Sequence, residues 1–209
     1  MPLKTEDLRD VYGAKGPKEI RAIYEGWAAD YDHENVGNGY RLPSLAAAYL
    51  ARNLPVGQGP VFDAGCGTGL VGETLALLGY GPLVGVDLST EMLAASGRLG
   101  VYDRLYEQEL GQPIPEPDGS FAGVTSTGSF GPGHAPPESL NELCRILKPG
   151  GIAAFNVVEN TYVEQGFPAV MEALSAKGLW RERERSPAFR PFLLSEPDLL
   201  TRIFVFERL

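Results

Sequence analysis

The chain has 209 residues, 44% of them apolar and 22% charged, with a formal net charge of −9, which suits one α/β domain with additions and not two ordinary ones. The negative balance argues against nucleic acid as substrate, because phosphate contacts require a basic surface. No apolar run approaches the roughly 20 residues that span a bilayer, and the start, Met1 to Asp7, lacks the apolar core of a secretory signal, so no membrane association is expected.

The two cysteines, Cys66 and Cys144, lie in a glycine loop and on an amphipathic helix and suggest no disulfide framework, so the expected compartment is cytoplasmic. Residues 17 to 52 read as helical, with Ile20, Ile23, Tyr24, Trp27 and Tyr31 at three- and four-residue steps and Leu45, Ala48, Tyr49 and Arg52 in a similar rhythm. Asn35 to Gly39 reads as the turn between them. Thereafter strands alternate with helices. Strands are expected near 60–64, 83–87, 102–107, 120–126 and 151–157, and helices near 68–79, 90–99, 137–147 and 162–177. Lys148-Pro149-Gly150-Gly151 stops the third of these helices. The tail breaks the alternation: Arg181 to Arg185 and Thr201 to Glu207 read as two strands with no helix between, a final antiparallel pair at one sheet edge. Arg181, Arg183, Arg185 and Arg190 are the candidate basic patch, but Glu182 and Glu184 interleave with them and favour a solvated strand face. Alternating βα units specify a doubly wound, mostly parallel sheet, here of seven strands, with its binding crevice at the carboxyl ends of the strands.

Val61-Phe62-Asp63-Ala64-Gly65-Cys66-Gly67-Thr68-Gly69-Leu70 carries the chemistry. A strand end runs into an acid, three alternating glycines and a helix start; glycine allows φ > 0 and brings backbone against a ligand. Dinucleotide turns read G-x-G-x-x-G and seat a pyrophosphate on the helix N-terminus. Counted from Gly65, the place of the third glycine is Leu70. A second acid, Asp87, ends the strand Leu83 to Asp87, eighteen residues after Gly69, near the distance of a ribose-binding acid. An ionised carboxylate accepts only, so it can hold two ribose hydroxyls. The competing role for Asp87 is to cap the helix starting near Thr90, which Ser89 could do equally well.

The D-x-G-x-G-x-G run resembles motif I of the class I S-adenosylmethionine-dependent methyltransferases, a Rossmann-like family. Three further segments resemble that family in the right order: Tyr24 to Asp32 as Y-x-x-W-A-x-x-Y-D, Pro115 to Phe121 as P-x-x-D-x-S-F, and Arg145 to Gly151 as R-x-L-K-P-G-G. Together they cover about residues 20 to 158. Within the family, the Tyr31-Asp32 and Tyr40-Arg41 pairs and the acid-poor segment after strand four resemble the methyltransferase-like group named for the Williams–Beuren syndrome chromosomal region. The resemblance implies an N-terminal helical lid over residues 1–55, an S-adenosylmethionine-binding region over 56–209, S-adenosylhomocysteine as product, and a small-molecule or protein acceptor. By position it implies that Ala64, Gly65 and Gly67 pass beneath the methionine portion of the cofactor, with Asp63 at its ammonium. Asp87 would hold the ribose, and Leu88 and Met92 would pack on the adenine. Glu109 would accept from the adenine amino group, Leu110 would donate its backbone N–H to the ring, and the Thr127 carbonyl would meet the ammonium. Tyr31 and Arg41 would close over the cofactor, Arg41 pairing with its carboxylate.

The chain departs from the pattern at Ala122, where an acid is usual, and in the loop Gly128 to His134, which lacks the Asn-Pro-Pro-Tyr signature that holds a planar nitrogen. That disfavours adenine or glutamine amides as acceptors. His134 is a candidate base in that loop, Tyr24, Trp27, Tyr31 and Tyr40 are candidates for an acceptor pocket or for core, and Cys66 acts as a small residue. No metal is expected and no catalytic residue is assigned. An NAD-dependent oxidoreductase and a non-catalytic cofactor-binding module remain alternatives. Leu70 and the lack of a Tyr-x-x-x-Lys pair weigh against the first.

Overall fold

The computed structural model describes residues 10, 11, 13, 14 and 16–209; the start Met1 to Asp7 lies outside them. Ahead of the first strand come α1 (Pro17–Trp27), α2 (Tyr31–Gly37) and α3 (Leu42–Ala51). Then follow β1 (Val61–Ala64), α4 (Leu70–Leu77), β2 (Leu83–Asp87), α5 (Thr90–Leu99), β3 (Arg104–Glu107) and β4 (Phe121–Ser126). The chain continues through α6 (Ser139–Ile146), β5 (Leu147–Val158), α7 (Glu159–Glu164), α8 (Phe167–Ala176), β6 (Trp180–Arg185) and β7 (Thr201–Arg208). The strands form one seven-stranded sheet in the order β3-β2-β1-β4-β5-β7-β6. The first five are parallel to one another, while β7 runs antiparallel to both β5 and β6. This is the expected α/β architecture, including the antiparallel pair at one edge.

Period-two alternation sends each strand's side chains to two separate cores. Val61, Leu83, Ile152, Ala154, Ile203 and Val205 meet Ala46, Leu50, Val71 and Leu75 of α3 and α4 on one face. Phe62, Val84, Val86, Phe155, Phe204 and Phe206 meet Leu140, Leu143, Phe167 and Leu174 of α6 and α8 on the other. The strand order turns back on either side of β1, between β2 and β4, so the carboxyl ends of these three strands form the mouth of a crevice. A third, smaller cluster (Val11, Ile20, Trp27 and Phe192) fastens the leading helices to the β6–β7 connection. There Arg41 N–H donates to the Pro191 carbonyl at 3.0 Å and Leu193 N–H to that of Gly39 at 3.1 Å.

Three boundaries differ from the sequence reading. Helix α2 continues through Gly37, so the expected turn over 35–39 shrinks to Asn38-Gly39, with Gly39 at φ 73°. The single helix expected over 162–177 is two, because Gly166 adopts φ 82° between α7 and α8. Strand β5 begins at Leu147, directly after α6: that leucine takes extended backbone and pairs with Phe121, and the register shifts between Phe121 and Gly123. The interleaved charges of β6 are exposed and mutually paired, as expected of a solvated face: Arg181 and Arg183 with Glu207, Arg185 with Glu182, and Glu184 with Arg52.

Two glycines stand where propensity disfavours them, Gly72 inside α4 and Gly85 inside β2. A Cβ on Gly72 would come within 2.2 Å of the Tyr102 ring, and one on Gly85 within 2.8 Å of it. The ring crosses the helix–sheet seam there, and its hydroxyl is anchored on Asp63 at 2.7 Å, so it cannot swing aside without losing that bond. Alanine normally stabilises a helix interior over glycine by about 1 kcal/mol. Here Gly72→Ala is expected to destabilise instead, by roughly 1–3 kcal/mol, the range for overpacking. Urea denaturation measures it, and Gly72→Ala should cost much less in a Tyr102→Leu background than in the wild type.

Candidate cofactor and acceptor site

The glycine run turns because its residues occupy the left-handed region: Gly65, Gly67 and Gly69 have φ of 74°, 55° and 98°. Gly65 N–H and Cys66 N–H both donate to the Val86 carbonyl at 2.8 Å, which ties the turn to the end of β2. Gly65 also needs its hydrogen for space, since a Cβ would meet Ser129 Oγ at 2.2 Å. Gly67 is different: nothing lies within 4 Å of where its Cβ would be, and it borders a cavity of about 580 Å³. That volume falls in the usual range for small-molecule sites.

Asp87 is nearly buried at the cavity wall, and each carboxylate oxygen already accepts one backbone N–H. Oδ2 takes Gly67 N–H at 2.9 Å and Oδ1 takes Ser89 N–H at 2.9 Å. Burial pushes its pKa up, opposed by these backbone bonds and by the Arg21 charge. A carboxylate has about four acceptor positions, so two remain for ligand hydroxyls. The cap of α5 is Ser89, whose Oγ accepts Met92 N–H at 3.3 Å. Asp87 is therefore not needed as that cap.

Nine of the expected site residues border this one cavity: Tyr31, Gly65, Gly67, Asp87, Leu88, Met92, Glu109, Leu110 and Thr127. They come from α2, the β1 turn, the ends of β2 and β4, α5 and the segment after β3. Three expected residues do not border it. Ala64 is a buried β1 residue whose carbonyl accepts from the hydroxyls of Ser126 at 2.9 Å and Ser129 at 3.3 Å. Arg41 points the other way: its Nε donates to the Arg190 carbonyl at 3.0 Å and its guanidinium lies 5.5 Å from the Phe189 ring centre. The pairing of Arg41 with a cofactor carboxylate is thus not made in this arrangement, because the β6–β7 connection holds the side chain.

Asp63 is buried beneath the turn. One oxygen accepts from the Tyr102 hydroxyl at 2.7 Å and the other from the Thr125 hydroxyl at 2.9 Å. Burial pushes its pKa up to about 6, aided by the Asp87 charge and opposed by both hydroxyls. Both carboxylate oxygens of Asp63 are engaged within the protein, and Asp63 supports the turn from below. Sequence reasoning missed Tyr102, although the misplaced Gly72 and Gly85 signalled a large side chain crossing there. Cys66 is buried with its thiol pKa pushed well up, first by burial and then by Asp63 and Asp87, as befits a small packing residue.

The leading helices reach the site by several links. Thr68 Oγ1 of the turn donates to Asp32 Oδ1 at 2.6 Å, and Arg21 pairs with Glu107 at the end of β3. Tyr24 and His134 face each other on the cavity wall, 3.0 Å apart between Oη and Nε2. The residues present fit an adenosine-bearing cofactor on the structure's own terms. The cavity side of Gly67 is space that a Cβ would fill, and Thr127 Oγ1 is buried beside it without a hydrogen-bond partner among the described residues. No helix among the described residues is long and apolar enough to cross a membrane.

Since the folded pKa of Asp63 exceeds its unfolded value, the associated stability is full below pH 4 and is lost as pH rises through about 6. Asp63→Asn removes the titration. Its stability relative to the wild type should therefore rise by about 2–3 kcal/mol between pH 4 and 7 and level off above, the size of a two-unit shift. Urea denaturation of both proteins across that range checks the slope.

A family profile for the methyltransferase domain matches residues 62–155. Human methyltransferase-like protein 27 is 36% identical over 182 residues, covering 83% of this chain and 73% of its own length. The demethylmenaquinone methyltransferase of Clavibacter sepedonicus is 31% identical over 175 residues, covering 78% of this chain and 68% of its own. Among solved structures, a TehB-like S-adenosylmethionine-dependent methyltransferase from Corynebacterium glutamicum superposes with a TM-score of 0.64 at 22% identity. That superposition covers 90% of this chain and 99% of the other, and shares the fold.

Proposed function

The chain belongs to the class I S-adenosylmethionine-dependent methyltransferases, and from that premise we propose how it holds its cofactor and what it methylates. The enzyme activity follows from membership; the NAD-dependent and non-catalytic readings are not favoured. The observation that carries the assignment of the site is the convergence of Gly65, Gly67, Asp87, Leu88, Met92 and Thr127 on one cavity. Asp87 receives the ribose hydroxyls on its two remaining acceptor positions. Leu88 and Met92 cover the adenine, with Glu109 and Leu110 at its polar edge. The open side of Gly67 and the Thr127 end of β4 receive the methionine portion. When bound, S-adenosylmethionine supplies a methyl group on a positively charged sulfur, and S-adenosylhomocysteine is the product.

Residues 1–55 act as a lid of the same domain, with Tyr31 over the cavity, and residues 56–209 form the cofactor-binding region. The lid's contribution is to exclude water and to hold the acceptor in line with the methyl group, which can supply most of the rate acceleration. The acceptor is a small molecule or a protein side chain; the relative from Clavibacter sepedonicus, named for demethylmenaquinone, supports a small molecule. The net charge of −9 supports an acceptor other than nucleic acid. A cytoplasmic location fits these features.

Calorimetry with S-adenosylmethionine should show binding, and an absence of heat at millimolar cofactor would remove the reading. Asp87→Ala should weaken binding by about 1.5–3 kcal/mol, or ten- to two-hundred-fold. It should also lower the melting temperature, because Gly67 and Ser89 lose their acceptor. Ser89→Ala should cost about 1 kcal/mol of fold stability through the lost cap, with cofactor affinity nearly unchanged. Equal affinity losses in the two variants would contradict the ribose role.

A further inference from the structure

A side recess adjoins the main cavity and takes no part in the cofactor contacts proposed above. It holds about 40 Å³ beside α2, near the carboxyl ends of β4 and β5, and Tyr31 and Gly128 border both spaces. Trp27, Leu42 and Phe192 give it apolar sides, and two asparagines border it, Asn35 of α2 and Asn156 of β5. These are only 2% and 1% exposed. Asparagine is mostly a surface residue, and a buried carboxamide with bonding positions left over lowers stability.

Hydrogen bonds fix how each carboxamide is turned. Asn156 Oδ1 accepts Gly128 N–H at 2.7 Å, and its Nδ2 donates to Thr201 Oγ1 at 2.8 Å. The Thr201 hydroxyl can only accept there, because its own proton goes to the Val157 carbonyl at 2.9 Å. One Nδ2 hydrogen of Asn156 is left over. At Asn35, the Tyr31 carbonyl accepts and cannot donate, so the atom 2.8 Å from it is Nδ2. Oδ1 is then on the other side of that amide, with no donor to it among the described residues. The two residues therefore leave one donor and one acceptor. No Asp, Glu, Lys or Arg among the described residues borders the recess, so an ion entering it would shed its water without a counter-charge. The volume admits about three water-sized groups.

A group of that size with one donor, one acceptor and no charge is a hydroxymethyl or a primary carboxamide. Resting on the placement of the cofactor in the main cavity, we propose that the recess is a specificity subsite for the methyl acceptor. It seats the uncharged hydroxyl or carboxamide end of a small molecule whose reacting atom lies in the main cavity. Asn35 Oδ1 accepts from that end group and Asn156 Nδ2 donates to it. The end group is not itself methylated; anchoring it sets how far along the cavity the reacting atom lies, which is what an in-line transfer depends on.

Three probes of one shape, acetamide, acetate and acetamidinium, are titrated into full-length ¹⁵N-labelled protein. Acetamide should shift the side-chain amide signals of Asn35 and Asn156 saturably and bind roughly tenfold or more tightly than either ion. An ion that binds as well as acetamide, or a recess that keeps only water and gives no acetamide shift, would overturn the subsite. Asn35→Leu keeps the shape and removes the unpaired oxygen, so it should lose acetamide binding while melting no lower than the wild type. Unchanged acetamide binding with a lower melting temperature would make Asn35 a structural residue and remove it from the subsite. The second arm supplies radiolabelled S-adenosylmethionine with mercaptoethanol, mercaptopropionamide, mercaptopropionate and cysteamine, which share a reacting atom and differ at the far end. Compared per thiolate, label should enter the two neutral thiols roughly tenfold faster than the two charged ones. Asn35→Leu should lose that preference with cofactor affinity unchanged. A preference for a charged thiol, a preference that survives Asn35→Leu, or no label in any thiol with cofactor bound overturns the proposal. Failure of the wild type to bind S-adenosylmethionine in calorimetry, with the acetamide response intact, marks the separate failure of the cofactor reading.

Discussion

Two carboxylates end the adjacent parallel strands β1 and β2, and the turn between β1 and α4 is built on them. Asp63 lies below it, bound to Tyr102 and Thr125; Asp87 lies beside it, bound to the backbone of Gly67 and Ser89. Asp63 is buried and Asp87 nearly so; the Asp87 charge adds to the cost of ionising Asp63, and each is compensated by hydrogen bonds rather than by a paired cation within the turn. An uncompensated buried charge would cost several kcal/mol. The neighbouring segments are shaped to supply that compensation: Tyr102 crosses the seam that Gly72 and Gly85 leave open, and Gly67 turns its N–H onto Asp87. The cavity exists because these requirements are met without side chains on its floor.

The leading helices are attached to this floor by polar links to three different segments. Asp32 binds the glycine turn through Thr68, Arg21 binds Glu107 at the end of β3, and Tyr24 binds His134 in the loop after β4. The Arg21–Glu107 pair is partly exposed and in that setting contributes at most about 1 kcal/mol. The apolar anchorage of α1 and α2 lies on Phe192 and the β6–β7 connection, while α3 packs into the sheet core through Ala46 and Leu50. The first two helices thus rest on a small apolar cluster and meet the cavity side through polar links. That arrangement suits a site which must admit a ligand and then shut out water.

Much of this was legible in the chain. The alternation of strand-like and helix-like segments declared a mostly parallel sheet with helices on both faces, and Gly65, Gly67 and Gly69 with Asp87 located the cavity. The β6 charges read as solvated because opposite signs interleave. What escaped was set by partners distant in sequence. The hydroxyl of Tyr102, 39 residues from Asp63, bonds to that carboxylate, and no local pattern around the motif announces it. Arg41 looked available until the segment after β6 folded back to hold it, through the carbonyl of Arg190, 149 residues on. The break at Gly166 hid in an otherwise helical rhythm, where one glycine reads as tolerable unless its φ is known.

The outer edge of the sheet has its own consequence. Strand β6 is the last in the order, and an unpaired edge is a template on which other chains can add and aggregate. Its Arg and Glu side chains are bonded to one another, to β7 or, for Glu184, to Arg52 beyond α3, and its register with β7 shifts between Glu182 and Glu184. A strand approaching this edge would have to displace those ion pairs and match an irregular backbone. The alternating charges thus serve as protection against edge-to-edge association, while the apolar faces of the antiparallel pair stay packed against α3 and α8.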